Sequence, residues 1–351
     1  MHMPSRCGST PILTGDRGKL AEISWERLKP DNWPVPLTQL PTGSVLVGGA
    51  VRDALLNRLT DTPDLDLVVP GNALESTRQL AQKLGGACVV LDQGRDMARL
   101  VLGGWTIDLA RQDGATLEDD LRRRDYRLNA LALTLDGTPR LIDPTGGLED
   151  LRSGRVTAVG EANLQDDPLR LLRGLRLMAE LGMRMDPQTL TMLRRNRCLL
   201  AKAAPERIQA ELLRLTDAPA ADSTIQTLLD LGLLKPWTVK NNTAGDRIIA
   251  GTVKNADLLT DSERRQALPL ARLTQLLPDS GLKQLRFSRR QLLRCERLRH
   301  WIERSSSDQG DPCLDQFSEQ ERLQLHKDLE QDLPALIVTL PEELQQSWLK
   351  R

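Results

Sequence analysis

Two aspartates separated by one residue, Asp64-Leu65-Asp66, are the pair in this chain best placed to do chemistry. They open an apolar run, Leu67-Val68-Val69, that reads as a strand. Side chains alternate along a strand, so both carboxylates fall on one face while Leu65 and Leu67 take the other. Like charges held this close repel, and an interior strand keeps them only with a counter-charge. Hard oxygen donors suit Mg²⁺, and two such ions can flank an in-line phosphoryl displacement. Just upstream, Ser44–Val47 reads as a buried strand that runs into Gly48-Gly49. Ala50–Leu59 continues as a helix with Val51, Leu55 and Leu59 on one face. Glycines at such a junction bare backbone N–H groups where a helix N-terminus favours a phosphate. Arg52 and Arg58, on that helix, are expected to reach the same anion.

The elements that must position these groups follow from the pattern of the chain. Lys19–Leu28 and Leu74–Leu84 read as helices, the second stopped by Gly85-Gly86. Ala87–Leu91 and Ala98–Leu102 are strand candidates, Gly103-Gly104 a hairpin turn, and Trp105–Ala110 the strand that leaves it. Leu117–Leu135 has the spacing of one long helix, with Leu117, Leu121, Leu128, Leu131 and Leu135 on one side and Arg122, Asp125 and Asn129 on another. Asp143-Pro144 and Gly146-Gly147 punctuate a turn before a new helix. Asp166–Leu181 reads as a helix with Asp167 as N-cap and Pro168 at the first position. Arg170, Arg173 and Arg176 recur along it, with Leu171, Leu172, Leu175 and Met178 on the buried side. Ala204–Leu215 is a packing helix, and Lys235–Arg247 is a polar connection. Leu268–Leu277 follows as a helix, then Leu282–Trp301 as a helix or helix pair that is strongly basic against the single acid Glu296. Lys283, Arg286, Arg289 and Arg290 lead that run as candidates for contacting a phosphate backbone.

Composition narrows the class. At 351 residues and 40% hydrophobic content, the chain is long enough for several compact units, with leucine rather than the 3% of aromatics filling the core. Lys plus Arg and Asp plus Glu balance at 48 each, so a polyanion partner must be met by a local face rather than by net charge. Cysteines at 7, 88, 198, 295 and 313 are odd in number and lack C-x-x-C spacing, which suits a reducing compartment and argues against a disulfide framework or zinc site. Histidines at 2, 300 and 326 supply no His–Asp metal site. No run approaches a membrane span and no signal-peptide core is present, so a soluble, cytoplasmic protein is expected.

The segment GGAVRDALL followed by DLDLVV resembles the first motif of the tRNA nucleotidyltransferase and poly(A) polymerase family, the bacterial-type (class II) branch of the polymerase β superfamily. Four further segments resemble its motifs in the same order. Arg123-Arg124-Asp125 with Asn129-Ala130 is similar to the second, with Tyr126 for the usual Phe and Arg127 for the usual Thr. LIDPTGGLEDL resembles the third, and Asp166-Asp167…Arg170 the fourth, with Asp166 where Glu is usual. Ala204–Leu215, with Glu206, Arg207 and Glu211, resembles the fifth.

The resemblance implies an α+β fold: a polymerase β-type head of mixed sheet and helices over residues 1–150, a helical neck over 151–234 and a helical body and tail over 235–351. It implies template-independent transfer of CMP and AMP from CTP and ATP to the 3′ end of tRNA, with two Mg²⁺ ions held by Asp64 and Asp66. Asp108, on the WTIDLA strand, would be a third carboxylate reached from an antiparallel neighbour. Gly48, Gly49 and Arg52 would hold the triphosphate. Arg124, Asp125 and Asn129 would contact ribose and phosphates, and Asp167 and Arg170, flanked by Arg173, would read the base. The basic C-terminal helices would hold tRNA. A poly(A) polymerase shares these motifs, and an inactive RNA-binding relative is the non-enzyme reading. Only Gln112–Thr116 separates the Asp108 strand from the next helix, where full CCA enzymes carry a longer loop that helps the switch from CTP to ATP. A CC-only or A-only enzyme is therefore a further reading. Nothing in the motifs addresses oligomeric state.

Overall fold

The structure is a computed structural model that describes residues 15–238, 253, 256–305, 317–340, 342 and 345. Cys7, Cys313 and the polar 239–247 stretch lie outside them. The architecture is α+β, a mixed-sheet unit followed by a helical remainder. The chain divides into two compact units between Asn163 and Leu164.

The first unit is built on a seven-stranded sheet in the order β3-β4-β5-β2-β1-β6-β7. Its strands are β1 (Val45–Val47), β2 (Leu65–Val69), β3 (Ala87–Asp92), β4 (Met97–Leu102), β5 (Trp105–Arg111), β6 (Ala132–Thr134) and β7 (Leu141–Ile142). Central β1 is buried at all three residues, as a strand covered on both faces must be, which explains its unbroken apolar sequence. Its helices are α1 (Arg17–Leu28), α2 (Gly49–Leu55), α3 (Ala73–Leu84), α4 (Leu117–Arg122) and α5 (Gly147–Ser153). Helix α3 is capped by Asn72, whose side chain accepts from the Glu75 N–H, and stopped by Gly85 at φ 75°. It packs on β3, β4 and β5. Val45, Val47, Val68, Leu121, Ala130 and Ala132 form a core around the strands that carry the aspartates.

Among the elements of the first unit the structure corrects three expectations. Leu117–Leu135 is not one helix: α4 ends at Arg122, a 3-10 turn covers Arg127–Asn129, and β6 follows. Tertiary hydrogen bonds override the leucine spacing, because the Arg127 N–H donates to the Thr157 carbonyl and the Val159 N–H to the Asp125 carbonyl. Ala132–Thr134 then pairs with β1. Arg122, Asp125 and Asn129 therefore share no helix face. Second, α2 stops at Leu55, since Asn57 takes a left-handed φ of 55°, and Arg58 falls beyond the helix. Third, β5 pairs with β2 in parallel, not antiparallel, because β3 and β4 intervene in the chain between them.

Helix α6 (Glu161–Asp166) crosses the division between the units. The second unit holds α7 (Leu169–Leu181), α8 (Pro187–Asn196), α9 (Pro205–Asp217), α10 (Ala221–Leu231), α11 (Asp261–Leu276), α12 (Asp279–Gln284), α13 (Arg289–Ser305), α14 (Glu319–Leu329) and α15 (Leu333–Ile337). The basic Leu282–Trp301 run is thus a pair of helices, broken where Arg286 adopts φ 59°. Along α7 Leu177 rather than Met178 joins the fully buried side. Arg272 is tied to Asp222 at 2.7 and 2.9 Å. Arg299, only 1% exposed, donates to the carbonyls of Thr274 (2.8 Å) and Leu277 (2.9 Å). Among the described residues no helix is long and apolar enough to cross a membrane.

Gly147 tests the third motif. A Cβ there would meet the Arg127 carbonyl oxygen at 2.2 Å, whereas one on Gly160 would meet nothing within 4 Å. Gly147→Ala should cost roughly 3 kcal/mol in urea denaturation and Gly160→Ala under about 0.5.

Candidate active site of the first unit and arginine-lined helices of the second

The glycine turn and the aspartates converge. Gly48, at φ 76° and ψ −134°, holds a conformation that a side chain would strain. A Cβ on it would lie 3.4 Å from Oδ2 of Asp66 and 3.7 Å from Nη1 of Arg124, so the first two motifs meet at this one atom position. The Gly48 N–H is not bare, as the sequence alone suggests; it donates to the Leu131 carbonyl at 3.1 Å and fastens the turn to the chain before β6.

Asp66 sits within β2, and Asp64 lies just before its first residue and is exposed. The Thr106 hydroxyl of β5 donates to Asp64. Burial pushes the Asp66 carboxyl up to about 6; Arg124 opposes this, while Asp108 and Asp64 add to it and Arg99 opposes again. Such a site has the donor chemistry and the surplus negative charge that a divalent cation relieves, so the pair fits a metal. Among the described residues no group of three or more His, Cys, Asp or Glu side chains is arranged to hold one. A third acid, Asp108, stands beside the pair. It is registered against Asp66 across the parallel pair, but both of its oxygens accept from Arg99, at 2.7 and 2.9 Å.

The remaining candidates of this unit divide by burial. Arg52 is 8% exposed; it grips Asp53 at 2.8 and 2.9 Å and donates to Oδ1 of Asn129 at 2.7 Å. Asn129 in turn donates to Asp125 at 3.3 Å. Asp125 is 6% exposed and accepts the Tyr126 N–H at 2.7 Å. Arg52, Asn129 and Asp125 therefore form a bracing line, while Arg124 is the second-motif side chain that reaches the Gly48–Asp66 junction. Arg124 also pairs with Asp120 at 3.1 Å. Asp143 accepts the N–H groups of Gly146, Gly147 and Leu148 at 2.8–3.0 Å and anchors the third motif as a turn.

In the second unit, Asp167 accepts the Leu169 N–H at 3.2 Å and pairs with Arg207 of α9 at 2.8 Å. Against the cost of its burial, the Arg207 guanidinium holds its carboxyl below the ordinary range. Arg173 reaches Glu211 at 3.5 Å and buried Arg176 reaches it at 2.6 Å, so the fifth motif positions the fourth. Of the basic C-terminal run, Arg294 pairs with Asp332 at 2.6 Å, Arg297 with Asp328, and Arg299 is buried. Lys283, Arg286, Arg289 and Arg290 remain at the surface, with Arg286 paired to Glu206. Arg290, Arg265 and Arg294 line a cavity of about 380 Å³ together with apolar residues that include Leu213 and Leu270.

Arg99 and Thr106 are the residues the sequence reading missed. Counting outward equally from the Gly103-Gly104 turn pairs Arg99 with Asp108, so the hairpin itself carried the signal. Thr106, two residues before Asp108 on the same strand face, falls beside Asp64 through the parallel β2–β5 register, for which the hairpin count gave no signal.

Two segments match family models, residues 44–157 the poly A polymerase head domain and residues 182–238 the probable RNA and SrmB-binding site of polymerase A. The chain is 36% identical to a CC-adding tRNA nucleotidyltransferase of Deinococcus radiodurans over 74% of its own length and 78% of the relative's. It is 36% identical to one from Synechocystis sp. over 74% of its length and 66% of the relative's. Other relatives, among them proteins named A-adding tRNA nucleotidyltransferase and CCA-adding enzyme, are spanned over only about half their length, 46% and 49% in two cases. In fold the chain is similar to a Thermotoga maritima CCA-adding enzyme complexed with tRNA, with a TM-score of 0.70 at 23% identity over 94% of this chain and 84% of that one. The glycine turn, the paired aspartates and the mixed sheet together define a nucleotidyltransferase head. The chain belongs to the tRNA nucleotidyltransferase and poly(A) polymerase family.

The raised Asp66 carboxyl makes a prediction for the metal-free protein. Between its ordinary value of 3.8 and about 6, the folded state keeps a proton that the unfolded state has lost. Stability contributed by Asp66 therefore falls as pH rises through this window and stays lower above it, by roughly 3 kcal/mol once both states are ionised. Asp66→Asn removes that slope, so thermal melts should show it more stable than wild type at pH 8 and converging with it near pH 4.

Proposed function

We propose that the chain is a tRNA 3′-end nucleotidyltransferase that adds cytidines to tRNA lacking its CCA end. The observation that carries this is the meeting of Gly48, Asp66 and Arg124 at one position, which joins a phosphate-turn, a metal-type carboxylate and a cation. Asp64 and Asp66 would hold divalent ions, two Mg²⁺ in this reading. Bound there, they would neutralise charge at the α-phosphate and ease deprotonation of the terminal 3′-hydroxyl. The 3′-oxygen attacks the α-phosphorus of CTP and pyrophosphate leaves.

The chain's own residues supply orientation. The Gly48–Gly49 turn lets the triphosphate approach the backbone, Arg124 offers a cation to it, and the Arg52–Asn129–Asp125 line keeps the turn in place. Asp167 and Arg170 read the base. A carboxylate accepts from an exocyclic amine and a guanidinium donates to the unprotonated ring nitrogen beside it, a pairing-edge pattern that cytosine and adenine share and that uracil and guanine, whose ring nitrogen there carries hydrogen, do not. Arg173 is a support of that helix. The exposed Lys283, Arg286, Arg289 and Arg290 would meet tRNA phosphates in the cytoplasm.

Arrest after two cytidines, rather than a complete CCA end, is favoured by the connection from β5 to α4. It is short and pinned: the Gln112 N–H donates to the Val69 carbonyl at 2.8 Å, Asp113 pairs with Arg123 at 2.8 Å, and Thr116 forms a capping box with Asp119. A loop tied at both ends is poorly suited to a switch from CTP to ATP. Full CCA addition is the second reading, supported by the presence of both Asp167 and Arg170 in the chain.

Purified protein with Mg²⁺ should extend tRNA lacking CCA by two cytidines, extend tRNA ending in C by one, and leave tRNA ending in CC unextended by ATP. Addition of the final A assigns complete CCA synthesis instead, and long A tails assign poly(A) synthesis. Asp64→Ala and Asp66→Ala should each lower turnover by roughly a thousandfold or more with tRNA affinity little changed. Arg170→Ala should admit UTP and GTP. For the C-terminal surface, Arg289→Ala with Arg290→Ala should lessen the slope of log affinity against log salt by about two.

A further inference from the structure

One arginine stands inside the carboxylate row, and none of the five motifs includes it. Arg99 of β4 is registered against Asp108 of β5, and Asp108 against Asp66 of β2. Registered partners on adjacent strands point to the same face, so Arg99, Asp108 and Asp66 form one line across three strands. The guanidinium meets Asp108 as a fork, Nε donating to Oδ1 at 2.7 Å and Nη2 to Oδ2 at 2.9 Å. The two-pronged arrangement is the strongest that a carboxylate and an arginine form. The side chains are 41% and 21% exposed, so the pair sits at the face of the sheet where a substrate would lie, not in the core.

We propose that Arg99 is a positioning residue of the metal site: it keeps Asp108 out of the ligand set, so that a divalent cation meets Asp64 and Asp66 alone. The inference rests on the reading of Asp64 and Asp66 as metal ligands. A carboxylate with both oxygens committed to a guanidinium ligates a cation only by giving up a charge-assisted pair. It would also bring the cation close to a fixed positive charge. Arg99 therefore sets the site's metal affinity below what three clustered carboxylates would give. Weaker holding suits a site whose ions must also accommodate an arriving triphosphate and a departing pyrophosphate.

The test is Mn²⁺ binding to the metal-free full chain, followed by electron paramagnetic resonance, without nucleotide. Arg99→Gln should tighten Mn²⁺ roughly tenfold or more, because it releases a carboxylate ligand and removes a nearby cation. Asp108→Asn in the wild-type background should change affinity by less than about threefold, since a group already excluded contributes no ligand; second-sphere or ligand loss costs roughly 10–100-fold. In the Asp108→Asn background, Arg99→Gln should lose most of its effect. Arg99→Lys, which keeps the charge without the fork, should tighten binding less than Arg99→Gln. The proposal is overturned if Asp108→Asn alone weakens binding tenfold, if Arg99→Gln gives no gain, or if its gain is equal in both backgrounds. Asp66→Asn separates the two claims: undiminished Mn²⁺ binding there removes the metal reading itself, and the Arg99 proposal with it.

Discussion

Withdrawing the Asp66 carboxylate from water beside two other acids is the constraint on which the first unit depends. Charge repulsion and burial both oppose its ionisation, and the surrounding elements answer each in turn. Arg124 approaches from the chain after α4, and Arg99 takes up Asp108 on the far side. The parallel β2–β5 pairing puts the acids in adjacent register, and the apolar core of Val45, Val47 and Val68 holds those strands rigid. Rigidity matters because carboxylates that could swing apart would relieve their repulsion and lose the surplus charge that recruits a cation. The sheet stores an electrostatic imbalance that a ligand would resolve.

Much of this was legible beforehand. The Asp-x-Asp spacing, the glycine turn and the helix stop at Gly85 are local signals, set by side-chain alternation and by backbone conformations that glycine favours. What failed was decided at long range. Leu117–Leu135 carries helical leucine spacing, yet hydrogen bonds to Thr157 and Val159 and pairing with β1 draw its second half into a turn and a strand. No window of that length contains those partners. The parallel direction of β5 was likewise hidden, because it depends on where β3 and β4 lie. Arg99 was recoverable from the Gly103-Gly104 turn by counting, but only once the hairpin register is taken seriously as a map of side-chain neighbours.

The second unit shows the same division of labour among its many arginines. Sequence presents the run from Lys283 to Arg299 as one basic stripe. Folding sorts it: Arg294, Arg297 and Arg299 are drawn to Asp332, Asp328 and backbone carbonyls, whereas Arg289 and Arg290 stay outside. Arg173 and Arg176 likewise turn to Glu211. A charged residue on a helix is thus evidence of an ionic partner first, and of a polyanion surface only after its own acids have been counted. With few aromatic residues in the chain, guanidiniums take over part of the work of cross-linking helices, through planar groups that bind several acceptors at once.

The hydrogen bond from Arg52 to Asn129 spans 77 positions of sequence and joins the first motif to the second. Its consequence is one of heredity. An exchange that brings in the strand, turn and helix of a relative without an arginine at the position of Arg52 strands the Asn129 amide and slackens Asp125 behind it. The two segments must be inherited together or altered in matched pairs. Between them, α3 and the β3–β4 hairpin take no part in that bond, and changes there leave it untouched. A single crossover that preserves the bond should therefore fall outside the interval from Arg52 to Asn129, whereas an exchange begun and ended within α3 and the hairpin leaves both partners in place.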